Sequence, residues 1–255
     1  MKNVAVLGCG PTGLLVAHAV EQAGHVPHII SKKVKSEIPG SQHLHGPVPG
    51  ITPQYPEGTI QFVRLGDARG YAQKVYGDPD RETGWGNYLQ IFPSWNVLKA
   101  YDLLWDIYQA EISDYEITIT MVPEIIKMYD EVISTIPGWV LCKHDLHKFE
   151  SVPYYIKKLP TPPDDVNNEI VVYNGLPSDP WYRWSILGGL CSIEYALPTN
   201  DWHQLEGDLI EGRKAVGNNC DCWPEIYRAG RWAEWKHGVT MYKSYLKAHE
   251  LMGSL

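Results

Sequence analysis

Apolar positions change period twice between Asn3 and Ile30. Residues 3–8 (NVAVLG) form a short apolar run that closes on glycine, the pattern of a buried parallel strand. From about 12 to 23 the period becomes helical, with Leu15, Ala19 and Ala23 on one face, and Gly24 follows where a helix-ending glycine belongs. His25 to Ile30 reads as a second strand, in which Pro27 is tolerable near the start or at a sheet edge. The pattern predicts a strand–helix–strand opening.

Residues 32–58 lose periodicity and are rich in Gly, Pro and His, and a loop of that length inside a domain usually carries function. Beyond it, 59–66 predicts a strand, 68–77 a helix and 77–87 a turn-rich connection. Asn96 to Glu111 is the clearest helix, with Leu98, Leu104, Trp105 and Tyr108 at helical spacing. Residues 116–122, 123–128 and 129–137 read as strand, helix and strand. After Pro137 the texture changes to short, partly alternating runs at 149–156, 169–174, 182–190 and 192–197, as in a mostly antiparallel sheet, and a final helix is expected over 238–252. The predicted class is α/β. Segments 1–66, 115–145 and 220–255 would assemble a Rossmann-like domain on a parallel sheet. Segments 67–114 and 146–219 would form a helical and mainly antiparallel β region facing the substrate.

Composition narrows the functions. Of 255 residues, 44% are hydrophobic and 20% charged, values of a soluble globular chain. The apolar stretch 4–20 is broken by Gly8, Gly10, Pro11 and Gly13, too broken for a membrane span, and it lacks the start and cleavage site of an export signal, so no membrane partner and a cytoplasmic location are expected. A net charge of −8 gives no support to a DNA partner; Lys32, Lys33 and Lys35 make a local basic run that ordinarily marks a solvated loop. Five scattered cysteines argue against a disulfide framework. Cys220-x-Cys222 has His203 and His237 as its nearest histidines, neither at a ligand spacing, so plain thiols and no metal are expected. Ten Trp and sixteen Tyr against three Phe favour aromatic faces with a polar end, and Tyr154, Tyr155, Tyr182, Trp184 and Tyr195 are candidates for a substrate pocket. Alternation would put Tyr182 and Trp184 on one wall. The oligomeric state is not legible.

The chemistry starts at Gly8-Cys9-Gly10-Pro11-Thr12-Gly13, which fits Gly-x-Gly-x-x-Gly after a strand and at the start of a helix. The first glycine allows a tight turn, the second a close approach to pyrophosphate, and the third helix–strand packing, while the helix N-terminus offers N–H groups to phosphate. With YDEVISTIP (129–137) and GRWAEWKHGVTM (230–241), this turn resembles the glutathione-reductase-type FAD enzymes. The resemblance is to the branch of monoamine oxidases, protoporphyrinogen oxidase and UDP-galactopyranose mutase, and Gly230, Arg231, Ala233 and Met241 match the mutase version. A looser likeness joins the Ser-Lys-Lys strand end and the Gln-x-Leu-His loop to short phage-borne flavoproteins, some of which hypermodify thymine in phage DNA.

That resemblance implies FAD, held by Gly8, Gly10, Pro11, Thr12, Gly13, Ser31, Lys32, Gln42, Val122, Thr135, Gly230, Arg231, Trp235 and Val239. It places Gly40 to His45 near the flavin, with Gln42, His43, His45, Tyr182 and Trp184 as candidate catalytic residues. The expected activity is amine-oxidase-like oxidation of a C–N bond in a small amine or amino-acid-like group, with a modified nucleobase as another substrate. A redox-neutral mutase or lyase, and a nucleotide-binding protein without catalysis, are the alternatives. One position departs from the family. Ser31 stands where an acid usually takes the ribose hydroxyls, and Lys32 and Lys33 could instead pair with the 2′-phosphate of NADP.

Overall fold

The computed structural model describes residues 1–38, 40, 42–160, 169–196 and 209–253. β1 (Asn3–Leu7) is fully buried from Val4 to Leu7, as its unbroken apolar run requires. α1 (Pro11–Gln22) starts on a proline, whose missing N–H costs nothing in the first helical turn. It is buried continuously from Gly13 to Val20, and α6 (Met241–Gly253) packs against it. β2 (Val26–Ser31) and β7 (Glu131–Ser134) flank β1 in parallel register, Leu7 lying opposite Ile30 on one side and Ser134 on the other. β13 (Ile226–Arg228) extends β7 and β6 (Ser113–Asp114) extends β2, giving a parallel sheet in the order β13-β7-β1-β2-β6. One face of this sheet is packed by Ala5, Leu7, Ile30, Val132 and Ile226 against Val122 and Ile125 of α4 (Val122–Met128).

A second sheet runs β12 (Leu209–Asn218), β8 (Phe149–Leu159), β11 (Leu190–Ala196), β10 (Trp181–Leu187), β9 (Glu169–Asn174), β4 (Gly58–Leu65), β5 (Leu89–Asn96) and β3 (His43–Leu44). The neighbours in β8 to β9 and in β4 to β3 pair antiparallel, and the β4–β9 contact is parallel. α2 (Ala68–Tyr76) is capped by Asp67, whose carboxylate accepts the Gly70 N–H at 2.8 Å, and ends on a left-handed Gly77. α3 (Val97–Tyr108) follows β5 directly, and α5 (Arg231–Glu234) is a single turn.

The chain divides into two units. The first comprises Met1–Glu37, Lys99–Glu150 and Ala215–Leu255; the second comprises Ile38–Leu98 and Ser151–Lys214. Residues 38–66 therefore group with the second sheet rather than with the glycine turn, because β4 hydrogen-bonds to β5 and β9. Residues 99–114 group with the first unit, where β6 pairs with β2.

One reading of the pattern is corrected, and two strands lie in segments where the pattern predicts none. Residues 116–122 are not a strand: β6 ends at Asp114, Ile119–Met121 is a turn of 3-10 helix, and Pro123 opens α4. The β-branched run packs Ile117 and Met121 onto the first core, so tertiary packing overrides local propensity. Residues 89–96 form β5 although Pro93 interrupts them, and the strand is largely exposed along its length. β12 was unrecognised because Glu, Arg and Lys break its apolar pattern.

Candidate cofactor and substrate sites

In the first unit, the glycine turn is fixed by steric necessity. A Cβ on Gly13 would lie 2.1 Å from the Gly8 carbonyl oxygen, so helix and strand can approach this closely only through glycine. Gly8 has φ +110°, and a Cβ there would lie 2.6 Å from Thr135 Oγ1. Thr135 follows β7, and both its N–H and its hydroxyl donate to the Leu7 carbonyl at 2.9 Å, pinning the two strand ends together. At Gly10 the helix has no side-chain cap and no acidic residue in its first turn. The first amides of α1 are left for an anion.

Gly230 comes to the same place from the other end of the chain. Its φ is +100°, and a Cβ would lie 2.9 Å from Thr12 Cγ2, so the segment ahead of α5 rests directly on the turn. Arg231 follows, and its Nε is buried without a hydrogen-bond partner. An unpaired guanidinium nitrogen is costly to bury, so a bound anion is the partner its chemistry calls for.

At the end of β2, the acid absent from position 31 stands on the neighbouring strand. Ser31 lies opposite Asp114 of β6, whose carboxylate accepts the Lys33 N–H at 2.9 Å. Lys32 pairs with Glu116 at 2.9 Å and Lys35 with Asp102 at 2.6 Å. The loop behind them is held over the turn: the Cys9 thiol donates to the Lys32 carbonyl, and Tyr101 accepts from the Ser36 N–H and donates to the Cys9 carbonyl.

The remaining first-unit candidates are structural in their contacts. Val122 is fully buried in the sheet core. Trp235 is buried, donates its indole N–H to the Glu150 carbonyl at 2.7 Å and packs edge-on against Phe149. Val239 is half-buried, two residues ahead of α6.

The second unit holds a buried charged cluster that the alternation of its strands did not reveal. Glu194 of β11 accepts from the Tyr182 hydroxyl at 2.5 Å and from Arg183 Nη1 at 2.9 Å, and Lys214 Nζ lies 3.8 Å away. That lysine also sits 3.9 Å from the centre of the Tyr182 ring. Consecutive residues of a strand normally point to opposite faces, but a bulge between Trp181 and Arg183 shifts the register and lets Tyr182 and Arg183 reach the same carboxylate. The same bulge separates Tyr182 from Trp184. Trp184 lies opposite Ile193 and contacts the Cys191 thiol, on the face away from Glu194, so the two do not line one wall. Burial pushes the Tyr182 hydroxyl well above the usual phenol range and Glu194 adds to it, so this tyrosine remains a proton donor. Tyr71 of α2 packs against Tyr173 and Tyr182.

The loop expected to carry catalysis reaches this cluster. The position of a Cβ on Gly40 lies 3.9 Å from Glu194 Oε1. The His43 and His45 rings lie 4.2 Å apart, tilted at 53°, and His43 keeps Nε2 buried without a partner. Burial, with smaller contributions from His45 and Arg183, lowers its pKa from 6.5 to about 3, which keeps the ring neutral. Gln42 and His45 are exposed, and Ser41 lies outside the described residues. Arg183 and Glu194 carry one usable signal, a charge placed inside an otherwise apolar strand.

No protein-family model and no curated protein matches the sequence. Solved structures do. Reduced UDP-galactopyranose mutase superposes with a TM-score of 0.58 over 99% of this chain and 93% of its own, at 13% identity. The fold is that of FAD flavoproteins. A Y270A mutant of 2-methyl-3-hydroxypyridine-5-carboxylic acid oxygenase gives 0.53 over 99% and 82% at 13% identity. A putative FAD containing monooxygenase from Photorhabdus luminescens subsp. laumondii TTO1 gives 0.50 over 99% and 87% at 11% identity. Other matched chains are longer, and this one spans 61–65% of two of them. Identity this low carries the fold and not the reaction; FAD is the cofactor consistent with the likeness. No helix among the described residues is long and apolar enough to cross a membrane.

Proposed function

We propose that this protein is an FAD-dependent enzyme that oxidises a carbon–nitrogen bond in a small amine or amino-acid-like group. The observation that carries the cofactor is the close approach of Gly8 and Gly13 to each other and to Thr135, and of Gly230 to Thr12, with the Nε of the adjacent Arg231 buried and lacking a partner. The open start of α1 and Arg231 would hold the pyrophosphate, and Ser31 with Asp114 would meet the ribose hydroxyls. Lys32 already has Glu116 as its partner, which favours FAD over NADP. Bound there, FAD supplies a hydride acceptor.

The second unit supports an amine as substrate. Loss of hydride from a C–H beside nitrogen needs a free nitrogen lone pair. Arg183 and Lys214 share the single carboxylate of Glu194, and the one net positive charge left over disfavours an ammonium next to them. Neutral His43 and the rings of Tyr71, Tyr173 and Tyr182 add polarisable walls that bring no charge of their own.

A redox-neutral flavin reaction, mutase or lyase in type, is the second reading. It is favoured by the near full-length match to the mutase, and an amino-acid-modified thymine in phage DNA is its candidate substrate. Purified protein is expected to be yellow and to release FAD on denaturation. An amine substrate should bleach it without oxygen and drive oxygen consumption in air. Turnover without oxygen consumption would establish the second reading instead. A colourless protein that binds adenine nucleotides but takes up no flavin would overturn both.

A further inference from the structure

Cys142, His147, Cys220 and Cys222 all belong to the first unit, and their ligand atoms lie within 4.8 Å of one another. The geometry points to a structural zinc site of the Cys3His type at this cluster.

Three of the six edges between the ligand atoms are close to those of a tetrahedron around zinc. With Zn–S near 2.3 Å and Zn–N near 2.0–2.1 Å, two sulfurs should stand about 3.8 Å apart and a sulfur and a nitrogen about 3.6 Å. Cys142 Sγ and Cys220 Sγ are 3.7 Å apart. His147 Nδ1 is 3.3 Å from Cys142 Sγ and 3.6 Å from Cys222 Sγ. A disulfide would need about 2.05 Å, and all five cysteines are free. Three thiolates and an imidazole in a tetrahedron are the soft donor set that selects zinc, and four protein ligands leave no open position for chemistry.

The surroundings suit a metal–thiolate centre. Arg228 donates through Nη2 to Cys220 Sγ at 3.4 Å and to the Cys222 carbonyl at 3.0 Å, and the Lys143 N–H points to Cys222 Sγ at 3.4 Å. These donors offset the net negative charge of three thiolates on one zinc. The outward nitrogen of His147, Nε2, is 3.7 Å from Asp221 Oδ1, a carboxylate–histidine arrangement that would aim Nδ1 at the metal. Local turns present the ligands: Cys142 ends a 3-10 helix (Gly138–Leu141), the His147 N–H bonds the His144 carbonyl, and Asn218 Oδ1 accepts the Cys220 N–H.

Local spacing hides the site. The search along the chain from Cys220-x-Cys222 stops at His237 and at His203, which lies outside the described residues. The other two ligands come from Cys142-x4-His147, brought in because β7 and β13 are adjacent in the sheet. The metal would tie the segment after β7 to the one before β13, and β13 leads directly into Gly230 and Arg231.

Protein purified without added metal and dialysed against metal-free buffer should contain about one zinc per chain by plasma mass spectrometry. A mercurial that titrates thiols should release that zinc into a chromogenic chelator in step. Cobalt(II) refolded into the apoprotein should show the intense visible bands and sulfur charge-transfer absorption of a tetrahedral thiolate site. Cys222→Ser should cut the zinc content by about tenfold or more, and Cys191→Ser, in the other unit, should leave it unchanged. If Cys222→Ser is insoluble, the wild-type measurements decide alone. Wild-type protein with no bound zinc and every thiol freely titratable, or with a Cys142–Cys220 disulfide in its peptide map, would overturn the site.

Discussion

The glycine turn of the first unit and the Glu194 cluster of the second are both tightly constrained, but by different parts of the chain. At the turn the constraint lies in the backbone: Gly13 must lack a Cβ because Gly8 O occupies its place, and the side chains nearby serve mainly to hold strand ends together. At Glu194 it lies in side chains delivered from β10, β11 and β12, with a bulge making two neighbours converge. The first arrangement fails when an atom is added, the second when one is removed. A backbone site also leaves a fixed signature over a few residues, whereas a side-chain site is spread over dozens.

The contrast can be tested from its strongest consequence downward. Gly13→Ala should cost about 4 kcal/mol or more and abolish flavin uptake, read by denaturation and by absorbance, because the added methyl meets a backbone oxygen rather than a flexible side chain. Glu194→Ala should cost about 3–5 kcal/mol by leaving Arg183 and Lys214 buried without their carboxylate. Its flavin content per folded chain should stay at the wild-type level. If flavin is lost in proportion to stability, the two regions do not fail separately and the contrast breaks.

His43 makes the next effect pH-dependent. Its folded pKa, about 3, lies below the unfolded value near 6.5, so the unfolded chain binds a proton that the native chain refuses. Stability from this residue is complete above pH 6.5 and declines as pH falls toward 3, by up to about 1.4 kcal/mol per unit. Denaturation curves for His43→Phe should show a flatter acid limb than wild type. Arg231→Ala should weaken flavin binding about tenfold, equal to about 1.4 kcal/mol, in a fluorescence titration, with little change in melting temperature. Lys32→Ala, which removes an exposed ion pair, should change FAD affinity and stability by less than about 0.5 kcal/mol. Binding of NADP in place of FAD by the wild-type protein, lost in that variant, would restore the NADP reading.

What could be read in advance follows the same division. The opening βαβ unit, the Gly-Arg segment and the antiparallel middle were legible because glycine spacing and strand period are short-range. Trp235 is buried with its indole N–H on the Glu150 carbonyl, and in sequence an aromatic beside a cofactor motif looks the same as an aromatic filling a core. Asp114 went unseen because only the β2–β6 pairing brings it next to Ser31. Glu194 and Arg183 are hidden because period-2 reasoning has no place for a bulge, and Lys214 because charged residues break the pattern of β12.

The order in which the first sheet is assembled has a consequence for the protein's birth. β1 leaves the ribosome well before its partner β7 and the neighbouring β13, which lie far down the chain, and the helix that covers α1 begins only at Met241. At 5–20 residues per second, roughly 10–45 s separate the emergence of β1 from that of β13. Throughout that interval the apolar side of α1 and an open parallel strand edge have no native cover. A nascent chain of this design stays open to misassociation until the helix that starts at Met241 has emerged.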